Sequence, residues 1–142
     1  MKLVQHLLAS KDASIISIQP DASVLDAIKL MADKGIGSLV VLTDGELVGI
    51  VTERDYARKV IIKGKASDTT PVADIMTADV ITASSAQTVN QCMEMMTAKK
   101  CRHLPVVDDG KLLGMISIGD LVQAIITDQQ EEIEQLEHYI AG

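Results

Sequence analysis

Apolar and polar residues follow two periods along this chain, and the periods recur in the same order. Val24, Ile28 and Met31 fall at helical spacing on one face, and Val89, Met93 and Met96 repeat that face. Ser23 and Thr88 stand just ahead, where a hydroxyl can accept from the unpaired N–H groups of a first turn, so both are expected N-caps. Two short apolar runs follow each helix, at residues 39–42 with 47–51 and at 104–107 with 112–116. Asp44-Gly45 and Asp109-Gly110 separate the runs. Asp-Gly in that position predicts a tight hairpin, because Gly takes the positive φ a tight turn requires. Short extended pieces are predicted at 14–18 and 80–83, and second helices begin at Glu53 and at Ile118. Each half therefore reads strand, helix, strand, strand, helix.

The halves align without a gap when residue i is set against i+65 between Val24 and Asp120. Val24, Met31, Lys34, Leu39, Val41, Asp44, Gly45, Leu47, Gly49 and Asp55 meet identical residues at Val89, Met96, Lys99, Leu104, Val106, Asp109, Gly110, Leu112, Gly114 and Asp120. Two copies are too few for a solenoid, which needs at least ~3 units, so a pseudo-symmetric pair is expected. A unit of roughly 60 residues buries only about 60% of its unfolded surface, so the two should pack sheet to sheet and share a core. The expected organisation is an N-terminal extension at 1–10 with a short helix over 3–8, a first repeat at 11–70, and a second at 71–132. A polar linker, KASDTTP (65–71), precedes a restart of structure at 72–76. An acidic amphipathic tail closes the chain at 133–142. From Ile125 onward, apolar Ile125, Ile126, Ile133, Leu136 and Ile140 mix with Glu131, Glu132, Glu134 and Glu137, a pattern suited to packing on a partner subunit.

Composition narrows the picture. Of 142 residues 47% are hydrophobic, but Phe and Trp are absent and Tyr56 and Tyr139 are the only aromatics, so the core must be aliphatic. No apolar run approaches the ~20 residues that cross a bilayer. MKLVQHLLASKD is too short and polar for a secretory signal. A soluble, cytoplasmic protein is expected, with no membrane partner. Cys92 and Cys101 form no disulfide framework, and Cys101 with His103 lacks the second ligand pair of a structural zinc site, so no metal is expected. The net charge of -7 and the lack of aromatics argue against nucleic acid. Charge is uneven, however. Residues 52–65 (TERDYARKVIIKGK) carry five basic and two acidic groups, a net of +3, which leaves -10 for the rest. That segment suits a small anion, or is a solvated helix face.

Thr52-Glu53-Arg54-Asp55 and Ser117-Ile118-Gly119-Asp120 each place a hydroxyl three residues before an acid at a helix start, which is a capping box. The same geometry suits a ligand. A helix N-terminus presents free N–H groups and the positive end of its dipole. A carboxylate there can accept from two neighbouring hydroxyls, as on a ribose. Gly49 and Gly114, in the preceding strand, permit close backbone approach. One Asp can serve both purposes.

The stretches GELVGIVTERDYARKV, GKLLGMISIGDLV, CRHLPVVD and VADIMTADVIT resemble a tandem pair of CBS (cystathionine β-synthase) domains, a Bateman module. The resemblance covers nearly the whole chain. It implies an α+β fold of two pseudo-symmetric βαββα units, with clefts between them that take AMP, ADP, ATP, NAD(H) or S-adenosylmethionine as regulatory ligands. It implies that Asp55 and Asp120 hold ribose hydroxyls, with Thr52 and Ser117 nearby. Adenine walls would be Ile18, Leu39 and Val51 in one site, and Ile81, Leu104, Pro105 and Ile116 in the other. Phosphate contacts would be Arg102 and His103 in the second repeat, where the first has uncharged Gly37-Ser38. The first repeat instead carries Arg54, Arg58 and Lys59, opposite Gly119, Gln123 and Ala124 in the second, so the two sites should differ. Guanidinium forks favour a nucleotide over an uncharged adenosine derivative. His103 as a phosphate contact would strengthen at lower pH; otherwise it is a half-buried strand residue.

The family further implies a homodimer, with output to a separate effector protein or to dimer geometry itself. The alternative is a dimerisation or scaffold protein with vestigial clefts. No nucleophile with a base at readable spacing, metal cluster or phosphate-cradling Gly-rich loop is legible, so neither enzyme activity nor a catalytic cofactor is expected.

Overall fold

The computed structural model describes residues 2–10 and 15–141. In chain order the elements are α1 (Val4–Ala9), β1 (Ser17–Ile18), α2 (Val24–Lys34), β2 (Ser38–Thr43), β3 (Glu46–Thr52), α3 (Glu53–Tyr56), α4 (Val89–Lys99), β4 (His103–Asp108), β5 (Lys111–Ser117) and α5 (Ile118–Ala141). They divide into two units. One is Ile15–Ile81; the other joins the first residues of the chain to everything from Thr82 onward.

In the unit Ile15–Ile81, Ser23 Oγ accepts from Asp26 N–H at 3.1 Å and starts α2 as its spacing predicts. The helix ends at Gly35, whose φ of 66° admits the left-handed C-cap. Val24, Ala27 and Met31 point inward from α2 onto Leu39, Val41 and Val51 of the sheet, joined by Val60, Val72 and Ile75. The sheet runs β1-β2-β3, with β1 parallel to β2 and β3 antiparallel to it. After α3 the backbone widens into one π-type turn, Ala57–Ile61, in which Ile62 N–H donates to Ala57 O at 3.1 Å.

In the other unit Thr88 caps α4, and in return Thr88 N–H donates to Gln91 Oε1 at 2.9 Å. Strands β4 and β5 form the second hairpin. Both hairpins turn through two residues of positive φ, Asp44 (50°) with Gly45 (83°) and Asp109 (50°) with Gly110 (77°). Asp is one of the few non-Gly residues that tolerates this region. The helix opening at Ile118 continues for 24 residues, so the acidic tail and the closing helix of the second repeat are one element.

The two extended pieces shrink. Residues 14–18 keep a strand only at Ser17–Ile18, and Ser14 lies outside the described residues. Residues 80–83 keep one parallel bridge, Ala83 to Val106. The ladder stops there because the next two N–H groups go to side chains: Ser84 to Gln87 Oε1 at 2.8 Å and Ser85 to Asp108 Oδ1 at 3.0 Å. The Ser85 hydroxyl also donates to Asp108 Oδ2. That hydroxyl, and after it the Ser85 N–H, hold the Asp108 carboxyl below its ordinary range.

Neither unit closes with its own repeat. Val4 N–H donates to Gln87 O at 2.9 Å and Val89 N–H to Lys2 O at 3.1 Å. In the other unit Val72 N–H donates to Ala22 O and Val24 N–H to Thr70 O, both at 2.8 Å. The stretches LVQHLL (3–8) and PVADIM (71–76) thus play one role, and Val4 and Val72 are both fully buried. Gly49 and Gly114 are where these stretches press closest. A Cβ on Gly49 would lie 2.6 Å from Met76 Sδ and 3.0 Å from the Thr77 carbonyl oxygen; on Gly114 it would lie 2.9 Å from Leu8 Cδ2. The close approach that glycine permits is therefore made by protein.

Gly49→Ala should cost about 1–3 kcal/mol of unfolding free energy in urea, because a backbone carbonyl stands in the way. Gly114→Ala should cost less, because only the end of the Leu8 side chain must move. The Asp108 contribution varies with pH in the opposite direction to that of a histidine whose pKa is raised. A lowered folded-state pKa stabilises fully above the unfolded value and is lost as pH falls through the folded one. Asp108→Ala should therefore lower the melting temperature at neutral pH, with the gap to the parent closing on acidification through the carboxylate range.

Candidate functional site: two strand-to-helix corners

β3 and β5 each run straight into a helix, and the hydroxyl and acid of the repeated phrase meet at that corner. Thr52 N–H and Thr52 Oγ1 both donate to Asp55 Oδ2, at 3.0 and 3.1 Å, and Asp55 N–H returns a bond to Thr52 Oγ1 at 3.1 Å. At the second corner Ser117 N–H donates to Asp120 Oδ2 at 2.8 Å, and Asp120 N–H donates to Ser117 Oγ at 3.1 Å. The capping box holds at both. It sets each carboxylate in the first helical turn, the position the ribose reading requires.

A second strand is stitched to each corner. Ser38 pairs with Thr52 across β2 and β3, and His103 pairs with Ser117 across β4 and β5. Just before these strands, Gly37 O accepts from Glu53 N–H at 3.0 Å and Arg102 O accepts from Ile118 N–H at 2.9 Å. In the second-repeat unit this brings Arg102, His103, Ser117 and Asp120 to one corner. Arg102 is exposed and His103 half-buried. The equivalent loop of the first-repeat unit brings no charge. Cations there come from the helix side, with Arg54 and Arg58 exposed. Lys59 is committed inward: its Nζ lies 3.2 Å from Asp55 Oδ1 and donates to Ile75 O at 2.9 Å. It clamps the 71–76 stretch to the corner. Nothing in residue type foretold this, because its acceptor is a backbone carbonyl.

The proposed adenine walls lie deeper. Leu39 pairs with Val51 and Leu104 with Ile116, one step along the ladder from each corner. All four are at most 1% exposed, so they floor the corner from within the core. Pro105 is also buried, and Ile18, paired with Val41, is half-buried. Ile81 is half-buried at the end of the unit Ile15–Ile81, outside the unit that holds Leu104, Pro105 and Ile116.

Burial pushes the Cys92 thiol up, which makes it a poor nucleophile. Among the described residues no three His, Cys, Asp or Glu side chains gather to hold a metal, and no helix is long and apolar enough to cross a membrane.

The CBS domain family model matches residues 9–62 and again 72–127. The chain belongs to the CBS domain family. It is 43% identical to the mitochondrial CBS domain-containing protein CBSX3 of Arabidopsis thaliana, over 94% of this chain and 67% of that one. A solved protein with CBS domains from Burkholderia ambifaria superposes with a TM-score of 0.87 at 48% identity, covering 90% and 96% of the two chains. A CBS domain pair solved in complex with 5'-methylthioadenosine and S-adenosyl-L-methionine superposes at 0.80 with 26% identity, covering 90% and 98%. The CBS pair is a regulatory module of α+β fold.

The capping boxes act on stability without any ligand. Thr52→Ala and Ser117→Ala should each cost about 1 kcal/mol in urea unfolding of nucleotide-free protein.

Proposed function

We propose that this CBS pair senses an adenine nucleotide of the AMP, ADP, ATP or NAD(H) class and signals through a change in its conformation or its dimer. The observation that carries the reading is the corner formed by Arg102, His103, Ser117 and Asp120. A hydroxyl and a carboxylate stand at the opening of a long helix, and backbone pairing sets Arg102 and His103 next to that opening. Ribose hydroxyls suit the carboxylate and phosphate suits the guanidinium. The complex of a related pair with two adenosine compounds supports the same ligand class. At the other corner Asp55 and Thr52 take the ribose, while Arg54 and Arg58 reach phosphate from the helix side. Lys59 joins them only by leaving Ile75 O, so that corner should be the weaker or more selective. Adenine rests over Ile18, Leu39 and Val51 at one corner and over Leu104, Pro105 and Ile116 at the other.

Two copies form the working unit, in the cytoplasm, and hand the signal to an effector protein or to the dimer's own geometry. Ligand shifts that geometry only to the extent that it binds one state more tightly than the other. A dimerisation protein with vestigial corners is the second reading. The exposed apolar residues of α5 favour it, since they serve association whether or not a nucleotide binds.

Calorimetric titration of ligand-stripped protein with AMP, ADP, ATP, NAD, NADH and S-adenosylmethionine tests the proposal. Saturable binding of a nucleotide is expected, weakened about 10-fold or more by Asp120→Asn or Asp55→Asn. No heat from any compound, with unchanged melting temperatures, would overturn it in favour of the second reading.

A further inference from the structure

Ten large hydrophobic residues are exposed among the described residues, and nine of them fall on two segments. Seven lie on α5: Ile118, Val122, Ile126, Ile133, Leu136, Tyr139 and Ile140. The other two, Ile61 (59% exposed) and Ile62 (76%), end the wide turn that follows α3. The segments have opposite charge. From Ile118 to Ala141 there are six carboxylates and no Lys or Arg. Residues 58–65, RKVIIKGK, hold four cations and no carboxylate.

On α5, Ile126, Ile133, Leu136 and Ile140 form one stripe at helical spacing, and Ile133, Leu136 and Ile140 are 55, 62 and 83% exposed. At ~100° per residue, Glu132 flanks the stripe on one side and Glu137 on the other. Pairing this stripe with the same stripe of another copy would bring these glutamates against each other, which disfavours that arrangement. A surface that is both apolar and basic suits it better. Ile61 and Ile62 between Arg58 and Lys63 are such a surface, on the same polypeptide.

We propose that the acidic, apolar C-terminal half of α5 docks on residues 58–65 of a second copy of this chain. In a two-fold pair the contact forms twice, because each copy offers one tail and one basic patch. The inference deepens the homodimer reading above by naming its surface. It also sets the tail beside Arg58, so tail docking and phosphate binding share a neighbourhood.

Sedimentation equilibrium of the full chain measures the monomer–dimer constant. Lys63→Glu with Lys65→Glu in one variant, and Glu132→Lys with Glu137→Lys in another, should each weaken the dimer about 10-fold or more, since both reversals set like charges face to face. Equal mixing of the two should restore association to near the parent, because each tail then meets a patch of opposite charge. Added salt should weaken the parent dimer. These side chains are exposed, and circular dichroism melting of each variant checks that it remains folded. A dimer unaffected by the lysine reversals but lost in Ile133→Asp with Leu136→Asp would place tail against tail and overturn the surface. A dimer indifferent to every variant would also overturn the surface and leave the homodimer reading standing. A monomer at all concentrations would overturn both.

Discussion

Closure of each small sheet by a stretch of chain from ahead of the other repeat is the constraint on which the rest depends. Val4 and Val72 enter cores that their own repeats do not complete, each held by a pair of backbone hydrogen bonds at the start of α4 or α2. The bonds satisfy N–H groups that a helix leaves unpaired in its first turn. They therefore join two needs, capping a helix and filling a core. Gly49 and Gly114 follow from this. A side chain at either position would meet the exchanged stretch, so the strand must be bare where that stretch crosses it.

The corners inherit their geometry from the same economy. A strand that turns directly into a helix needs its first-turn N–H groups satisfied, and the hydroxyl–carboxylate pair does so. The result is a carboxylate and a hydroxyl at fixed places at a helix N-terminus, which is also what a ribose requires. The stitch from Gly37 O or Arg102 O to the helix then decides what accompanies them. In the second repeat it delivers Arg102 and His103. In the first it delivers an uncharged loop, and Arg54, Arg58 and Lys59 answer from the helix. The fold is symmetric and the chemistry is not.

Asymmetry also separates the two closing helices. The first relaxes into a wide turn after Tyr56 and ends near Gly64, leaving Ile61 and Ile62 in solvent. The second runs unbroken to Ala141. One leaves a basic, apolar knob and the other an acidic, apolar rod.

The sequence alone determined the repeat, the caps, both hairpins and the pairing of hydroxyl with acid. Each depends on residues within a few positions of one another, and periodicity or a short motif records such contacts. It marked Thr52, Asp55, Ser117 and Asp120 for the same reason. The tertiary structure alone decided which stretch closes which sheet, that Lys59 turns inward to Ile75 O, and that Arg102 reaches the Ser117 corner. It also sealed Leu39, Val51, Leu104 and Ile116 into cores beneath the corners. Those outcomes rest on backbone carbonyls and on packing between residues far apart in the chain. A carbonyl is the same in every residue, so its choice of partner leaves no mark on the amino-acid code.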